Sequence, residues 1–383
     1  MIGNCSEKEI SLYFHIPFCA KKCSYCHFYV VPDNEQNKND LLEAFKLEWK
    51  RQLPLTSSRT VSTIYFGGGT PFLFGPSRIQ SLLDFIKQDI TFSSSDPEIT
   101  LEANPENVTS DLMKQYHRAG INRVSLGIQT LDDSLLQLLG RSHRSDAAIQ
   151  AVYETAEAGI HNISIDLMYD LPYQTFDHWE STLQAVKKLP ITHLSLYNLT
   201  IEPHTIFFKQ KDVLGKHIPD EQVSLQMYQS AIQEMEEMGL PQYEISAFSK
   251  AGYHSVHNIG YWTARPFLGF GPSAFSYWDK KRFRNVAHLK KYCDFLKADI
   301  SPIDFEEQLD PSASLRELLV IQMRLKSGVC LREFQNRHGK ISEETRATLS
   351  LLQNQGFLKM EADFIALTDR GVLFYDTIAS ELI

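Results

Sequence analysis

Cys19, Cys23 and Cys26 stand in the run YFHIPFCAKKCSYCHF at a C-x3-C-x2-C spacing. Thiolates so spaced can wrap one side of an iron–sulfur cluster. In a cubane 4Fe-4S cluster, three cysteines leave one iron without a protein ligand. The amino and carboxylate groups of S-adenosylmethionine can chelate that iron. An electron from the cluster can then break the adjacent sulfonium bond and release a 5′-deoxyadenosyl radical, while the protein supplies position and exclusion of water. A structural zinc site needs a fourth ligand. His27 could serve, but it directly follows Cys26, which is awkward for closing a tetrahedron. Six cysteines in 383 residues are too sparse for a disulfide framework.

The elements that must position these groups alternate. β-rich runs at 11–16, 62–68, 98–104, 123–129, 163–169 and 193–199 are interleaved with helical patterns near 40–53, 77–88, 132–139, 146–158 and 177–188, and one helix opens at the cap-like TSDL (109–112). Such alternation predicts an α/β fold with a parallel sheet and right-handed crossovers. Six units are too few for an eight-unit barrel. They predict an open partial (β/α)6 barrel whose chemistry lies at the carboxyl ends of its strands. GGGTP, EANP, GIQ, DLMYDLP and YNLTIEP all fall there.

After residue 205 the alternation weakens. A long helix is expected near 220–239, stopped by Gly239, and QYEISAF (242–248) reads as a strand. From about 312 the pattern turns helical and ends in an apolar FIALTDRG segment, resembling a small winged-helix-like module. The reading is therefore a barrel over 1–205, an α+β extension over 206–305 and a C-terminal module over 306–383.

The composition is ordinary for a globular protein, 43% hydrophobic and 22% charged. A net charge of −9 and no basic stripe argue against nucleic-acid binding. No apolar run approaches the roughly 20 residues of a membrane span, which leaves at most peripheral membrane contact. The N-terminal MIGNCSEKEI lacks a signal peptide's basic and apolar regions, so a cytoplasmic location is expected.

HIPFC, YFGGGTP, EANPE, SLGIQTLDDSLLQLLGRSH, DLMYDLPYQT, SLYNLTIEP, YEISAF, HNIGYW and LGFGPSAFS together resemble the radical S-adenosylmethionine (radical SAM) superfamily. More narrowly, they resemble the branch holding oxygen-independent coproporphyrinogen III dehydrogenases and the HemW-type haem chaperones. The resemblance implies cofactor contacts from Tyr13 and Tyr25, from Gly67, Gly68, Gly69 and Thr70, and from Glu102, which is expected to bind the cofactor's ribose. Gln129, Arg141 and Asp166 match positions linked with a second cofactor molecule or the substrate, and Thr200 and Phe275 match more weakly. Some have a plainer reading, whereas for Asp166, in an apolar strand, function is favoured. Tyr25 could be a loop anchor, the glycines a strand-end turn and Arg141 a surface ion pair. Cys293 and Cys330 read as plain buried thiols.

Two departures separate this chain from the dehydrogenases. Phe28 stands where their pattern has a further cysteine, and only 18 residues precede Cys19. HNIGYW, with His257, Asn258, Tyr261 and Trp262, resembles a chaperone-branch signature suspected in haem binding. Imidazole is a common iron ligand and aromatics pack on porphyrin faces. His254 is a competing ligand candidate, and the plainer reading makes His257 and Trp262 fold elements. The expectation is a haem chaperone with a 4Fe-4S cluster, S-adenosylmethionine and haem, a haem-acceptor partner and a reductant, as monomer or homodimer. The alternative is an oxidoreductase that decarboxylates coproporphyrinogen III in porphyrin biosynthesis.

Overall fold

The computed structural model describes residues 8–383. Six parallel strands appear in the expected order: β1 (Glu9–Ile16), β2 (Thr60–Gly68), β3 (Glu98–Ala103), β4 (Arg123–Gln129), β5 (Asn162–Tyr169) and β6 (His193–Asn198). The crossover helices are α1 (Glu35–Thr56), α2 (Pro76–Ile86), α3 (Ser110–Ala119), α4 (Asp133–Leu139) with α5 (Ser145–Glu157), and α6 (Phe176–Val186). The predicted cap of α3 is present: Thr109 accepts from the Leu112 amide. The long helix α7 (Glu221–Glu237) ends before Gly239, whose φ is 72°.

Two expectations change. QYEISAF is not one strand but a tight antiparallel pair, β7 (Gln242–Glu244) and β8 (Ala247–Ser249), which turns back and closes one edge of the sheet against β6. Past α8 (Val256–Trp262), the strand β9 (Phe267–Phe270) pairs with β1 in parallel register, Tyr13 opposite Gly269. Seven parallel strands thus run side by side, and the short strand Thr91–Phe92 pairs in parallel with the start of β2. Antiparallel strands β10 (Phe275–Trp278), β11 (Lys281–Asn285) and β12 (Ile303–Gln308) extend it beyond β9. Helix α9 (Leu289–Lys297) packs on α1, and α10 (Pro311–Gln322) opens the C-terminal module, which carries a small three-stranded sheet.

The strands β1 to β6 alternate. Ile10, Leu12, Phe14 and Ile16 of β1 are fully buried on one face, as are Ile64, Phe66, Leu101, Val124, Leu126, Ile163 and Ile165 of its neighbours. The other face carries Ser11, Tyr13, His15, Thr63, Thr100, Glu102, Ser125, Asp166 and Ser195. Parallel strands covered by helices on both sides read as continuous apolar runs. Period-two alternation here means that one face packs on helices and the other encloses a polar interior. Among the described residues, no helix is long and apolar enough to cross a membrane.

Candidate functional site

The cysteine loop follows β1 and is held at several points. Ser24 donates its amide to the Leu139 carbonyl at the end of α4, which satisfies an otherwise free helix-terminal acceptor. Gly140, at φ 76°, leaves the space this contact needs, since a Cβ there would lie 2.9 Å from Ser24 Oγ. Phe207 donates its amide to the Ser24 carbonyl, and its ring lies 6.5 Å from that of Tyr25. On the other side the Thr70 amide donates to the Phe18 carbonyl.

A cavity of about 360 Å³ opens at the carboxyl ends of the strands. Cys19, Cys23, Cys26, Tyr25, Gly68, Gly69, Thr70, Glu102, Gln129, Arg141, Asp166 and Thr200 all line it. Sequence reasoning missed Asn104, Ser125, Met168 and Tyr197, which line it too. Asn104 sits in the conspicuous EANP turn, and Ser125 is picked out by the polar alternation of its strand.

Two of the glycines line the cavity, yet their lack of a Cβ serves the protein's own packing. A Cβ on Gly67 would meet Tyr13 and Tyr65 at 2.8 and 2.9 Å, and one on Gly69 would meet the Phe18 carbonyl oxygen at 2.7 Å. Gly68, at φ 121°, turns its N–H to a Glu102 oxygen at 3.0 Å, while Tyr65 donates to the other oxygen at 2.8 Å. Burial pushes Glu102 up to about 7, against these hydrogen bonds. Asp166, accepting from Ser125 at 3.2 Å, is pushed by burial up to about 6.

Arg141 is half-buried in the cavity wall and pairs with no carboxylate among the described residues, so it is not the surface ion pair of the plainer reading. It donates to Cys23 Sγ at 3.5 Å, to Asn104 Oδ1 at 3.0 Å and to the Gly127 carbonyl. Thr70 Oγ1 lies 3.5 Å from Cys19 Sγ. Burial pushes the Cys19 thiol up to about 11 and raises Cys26 as well. Thiols of this kind ionise readily only beside a compensating cation, as metal ligands do. Among the described residues, no three His, Cys, Asp or Glu side chains converge on one point. Three thiols of one short loop lining one cavity fit a cluster with one iron left to another ligand. The residues present fit the cluster and a cofactor carrying cationic and hydroxyl groups.

Seven candidates lie elsewhere, and one of them, Gly67, lines neither cavity. Tyr13, Phe275, Tyr261 and Trp262 line a second cavity, across the cysteine loop from the first. His257 and Asn258 line neither cavity. His257 is 1% exposed, with Nδ1 2.7 Å from Thr63 Oγ1 and Nε2 2.8 Å from the Tyr261 hydroxyl. Glu98 caps its helix, accepting from the Val256 and His257 amides at 2.9 Å. In this arrangement His257 fastens α8 to β2 and offers no free nitrogen to either cavity.

Comparison with known proteins agrees with this geometry. The radical SAM superfamily model matches residues 13–186, and the HemN C-terminal domain model matches 309–374. A Bacillus subtilis protein named Heme chaperone HemW is 32% identical over 364 residues, which is 95% of this chain and 96% of that protein. The Escherichia coli protein of the same name is 32% identical over 374 residues, 96% of this chain and 97% of that one. The solved structure of E. coli coproporphyrinogen III oxidase HemN, a radical SAM enzyme, shares the fold at a TM-score of 0.85, covering 100% of this chain and 91% of that one at 23% identity. With its cysteine loop at the carboxyl ends of a parallel sheet and near-complete alignment to these relatives, the chain belongs to the radical SAM superfamily, among the HemW proteins.

Proposed function

We propose that this protein holds a 4Fe-4S cluster on Cys19, Cys23 and Cys26 with S-adenosylmethionine beside it, binds haem, and passes the haem to an acceptor protein. The observation that carries the reading is the single cavity in which those cysteines meet Glu102, Asp166 and Arg141. Near-full-length similarity to proteins named Heme chaperone HemW supports the haem part.

When bound, the cluster supplies the electron that breaks the cofactor's sulfonium bond. The chain's own residues do the positioning. The Glu102 carboxylate, held by Tyr65 and Gly68, is oriented to accept from ligand hydroxyls. Arg141 brings a positive charge to within 3.5 Å of Cys23 Sγ. Ala103, Met168 and Leu199 provide apolar wall that limits water.

In this reading residues 1–205 carry the cluster, 206–305 carry HNIGYW and most of the second cavity's aromatics, and 306–383 close that cavity from one side. A cytoplasmic location, an external reductant and a monomer or homodimer complete the proposal.

The test is anaerobic reconstitution followed by S-adenosylmethionine, dithionite and coproporphyrinogen III, with haem titrated into the same preparation. Saturable haem binding, haem transfer to an apo-haemoprotein and no protoporphyrinogen are expected. Protoporphyrinogen formation would overturn the chaperone reading in favour of the oxidoreductase.

A further inference from the structure

The second cavity has a volume of about 540 Å³, within the range of small-molecule sites. Its wall is strongly aromatic, drawing Tyr261 and Trp262 from α8, Phe275 and Tyr277 from β10, and Phe28 from the cysteine loop. Phe28 and Phe275 are 53% and 46% exposed. Two half-exposed phenylalanines facing one cavity are an apolar surface waiting for a flat apolar ligand. Arg265, Arg282 and Glu317 also stand in the wall, with Arg282 paired to Glu317 and Glu307 at 2.6 Å each.

Two histidines line this cavity, and a third stands behind it. His15 is engaged at both nitrogens, Nδ1 3.0 Å from the Tyr13 hydroxyl and Nε2 3.3 Å from the Tyr29 carbonyl. His257 is engaged at both, as described above. His27 lines both cavities, is exposed, and its ring lies 4.8 Å from that of Phe28 between centroids. Among the described residues neither of its nitrogens has a hydrogen-bond partner.

We infer that the second cavity is the seat of haem and that His27, rather than His257, is the protein ligand of its iron. The inference rests on the haem reading above and deepens it. An imidazole with a free nitrogen at the rim of an aromatic cavity is what ligation of haem iron requires. Because His27 follows Cys26 directly, haem and cluster then share one loop and lie on its two sides.

Haem is titrated into cluster-loaded wild type, His27→Ala, His27→Met, His257→Ala and Ile321→Trp, with iron and sulfide content measured on each. Ile321 lies on α10 in the cavity wall, so tryptophan there fills the cavity away from the cysteine loop. His27→Ala is expected to lose at least tenfold in affinity and to shift its Soret band, with free imidazole restoring the band. His27→Met retains haem with a different spectrum, and His257→Ala keeps the wild-type band. Ile321→Trp loses at least tenfold in affinity at unchanged cluster content. An unchanged spectrum in His27→Ala overturns the ligand assignment, and unchanged affinity in Ile321→Trp overturns the cavity. Wild type that binds no haem overturns the underlying haem reading instead.

Discussion

Arg141 and Asn104, from two successive strand–helix units, meet at 3.0 Å and complete a bridge between two cysteines. Arg141 reaches Cys23 Sγ, and Asn104 Nδ2 donates to Thr70 Oγ1 at 3.0 Å, which in turn lies against Cys19 Sγ. Donors and positive charge beside cluster sulfurs tune their potential and favour the ionised thiolate. The strand ends therefore set the electronic surroundings of the cysteine loop as well as its position.

Removing the guanidinium should make the cluster harder to reduce. Arg141→Ala is expected to have a more negative midpoint potential than wild type and to bind S-adenosylmethionine about tenfold more weakly, the scale of one lost charged hydrogen bond. Arg141→Lys should recover part of the potential. An EPR-monitored redox titration reads this directly, and an unchanged midpoint in Arg141→Ala would count against the bridge.

Cofactor affinity should depend on pH through Glu102. Its carboxyl, raised to about 7 by burial, is protonated below that pH and then accepts hydroxyl hydrogen bonds poorly. S-adenosylmethionine binding to wild type should weaken as pH falls from 8 through 7, with a lower step near 6 from Asp166. Glu102→Gln should bind weakly throughout and lose the upper step. Calorimetric titrations at several pH values separate the two outcomes.

His257 should behave as a structural residue. Burial lowers its pKa to about 3, so it stays neutral and bridges Thr63 to Tyr261. His257→Ala leaves two buried hydroxyls without their partner and should cost on the order of 2–4 kcal/mol. Denaturant unfolding of the cluster-free protein measures that loss, and a stability equal to wild type would refute the fastening role.

A second buried group makes stability depend on pH. Glu48 of α1 accepts from Tyr292 at 2.5 Å, Gly271 at 3.0 Å and Asn285 at 2.6 Å, tying α1 to the segment after β9. Burial raises it from 4.5 to about 7. A folded pKa above the unfolded one gives stability that is complete below about 4.5 and lost as pH rises to about 7. The stability of wild type relative to Glu48→Gln should therefore fall across pH 5 to 7 and level off above, by at most roughly 3 kcal/mol. A difference that is flat in pH would show that Glu48 ionises normally.

The local readings are the ones that held. The six strand runs, the α3 cap and the stop at Gly239 depend on residues close in sequence, and they were legible there. So was the clustering of functional motifs at strand ends, because period-two strands in a parallel sheet all point their carboxyl ends one way. The polar alternation that encloses the interior was also present in the sequence and would have pointed to Ser125. What only the tertiary structure decided is which neighbours each residue meets. The strand β9 joins the sheet beside β1, at the opposite end of the barrel segment, and no local pattern announces such a pairing. That pairing carries Phe275 away from the first cavity and, together with α8, builds the second one. His257 reads as a ligand within HNIGYW because its partner Thr63 lies 194 residues away. Short-range periodicity assigns a side chain to a face, but the order and curvature of the strands determine what stands opposite it.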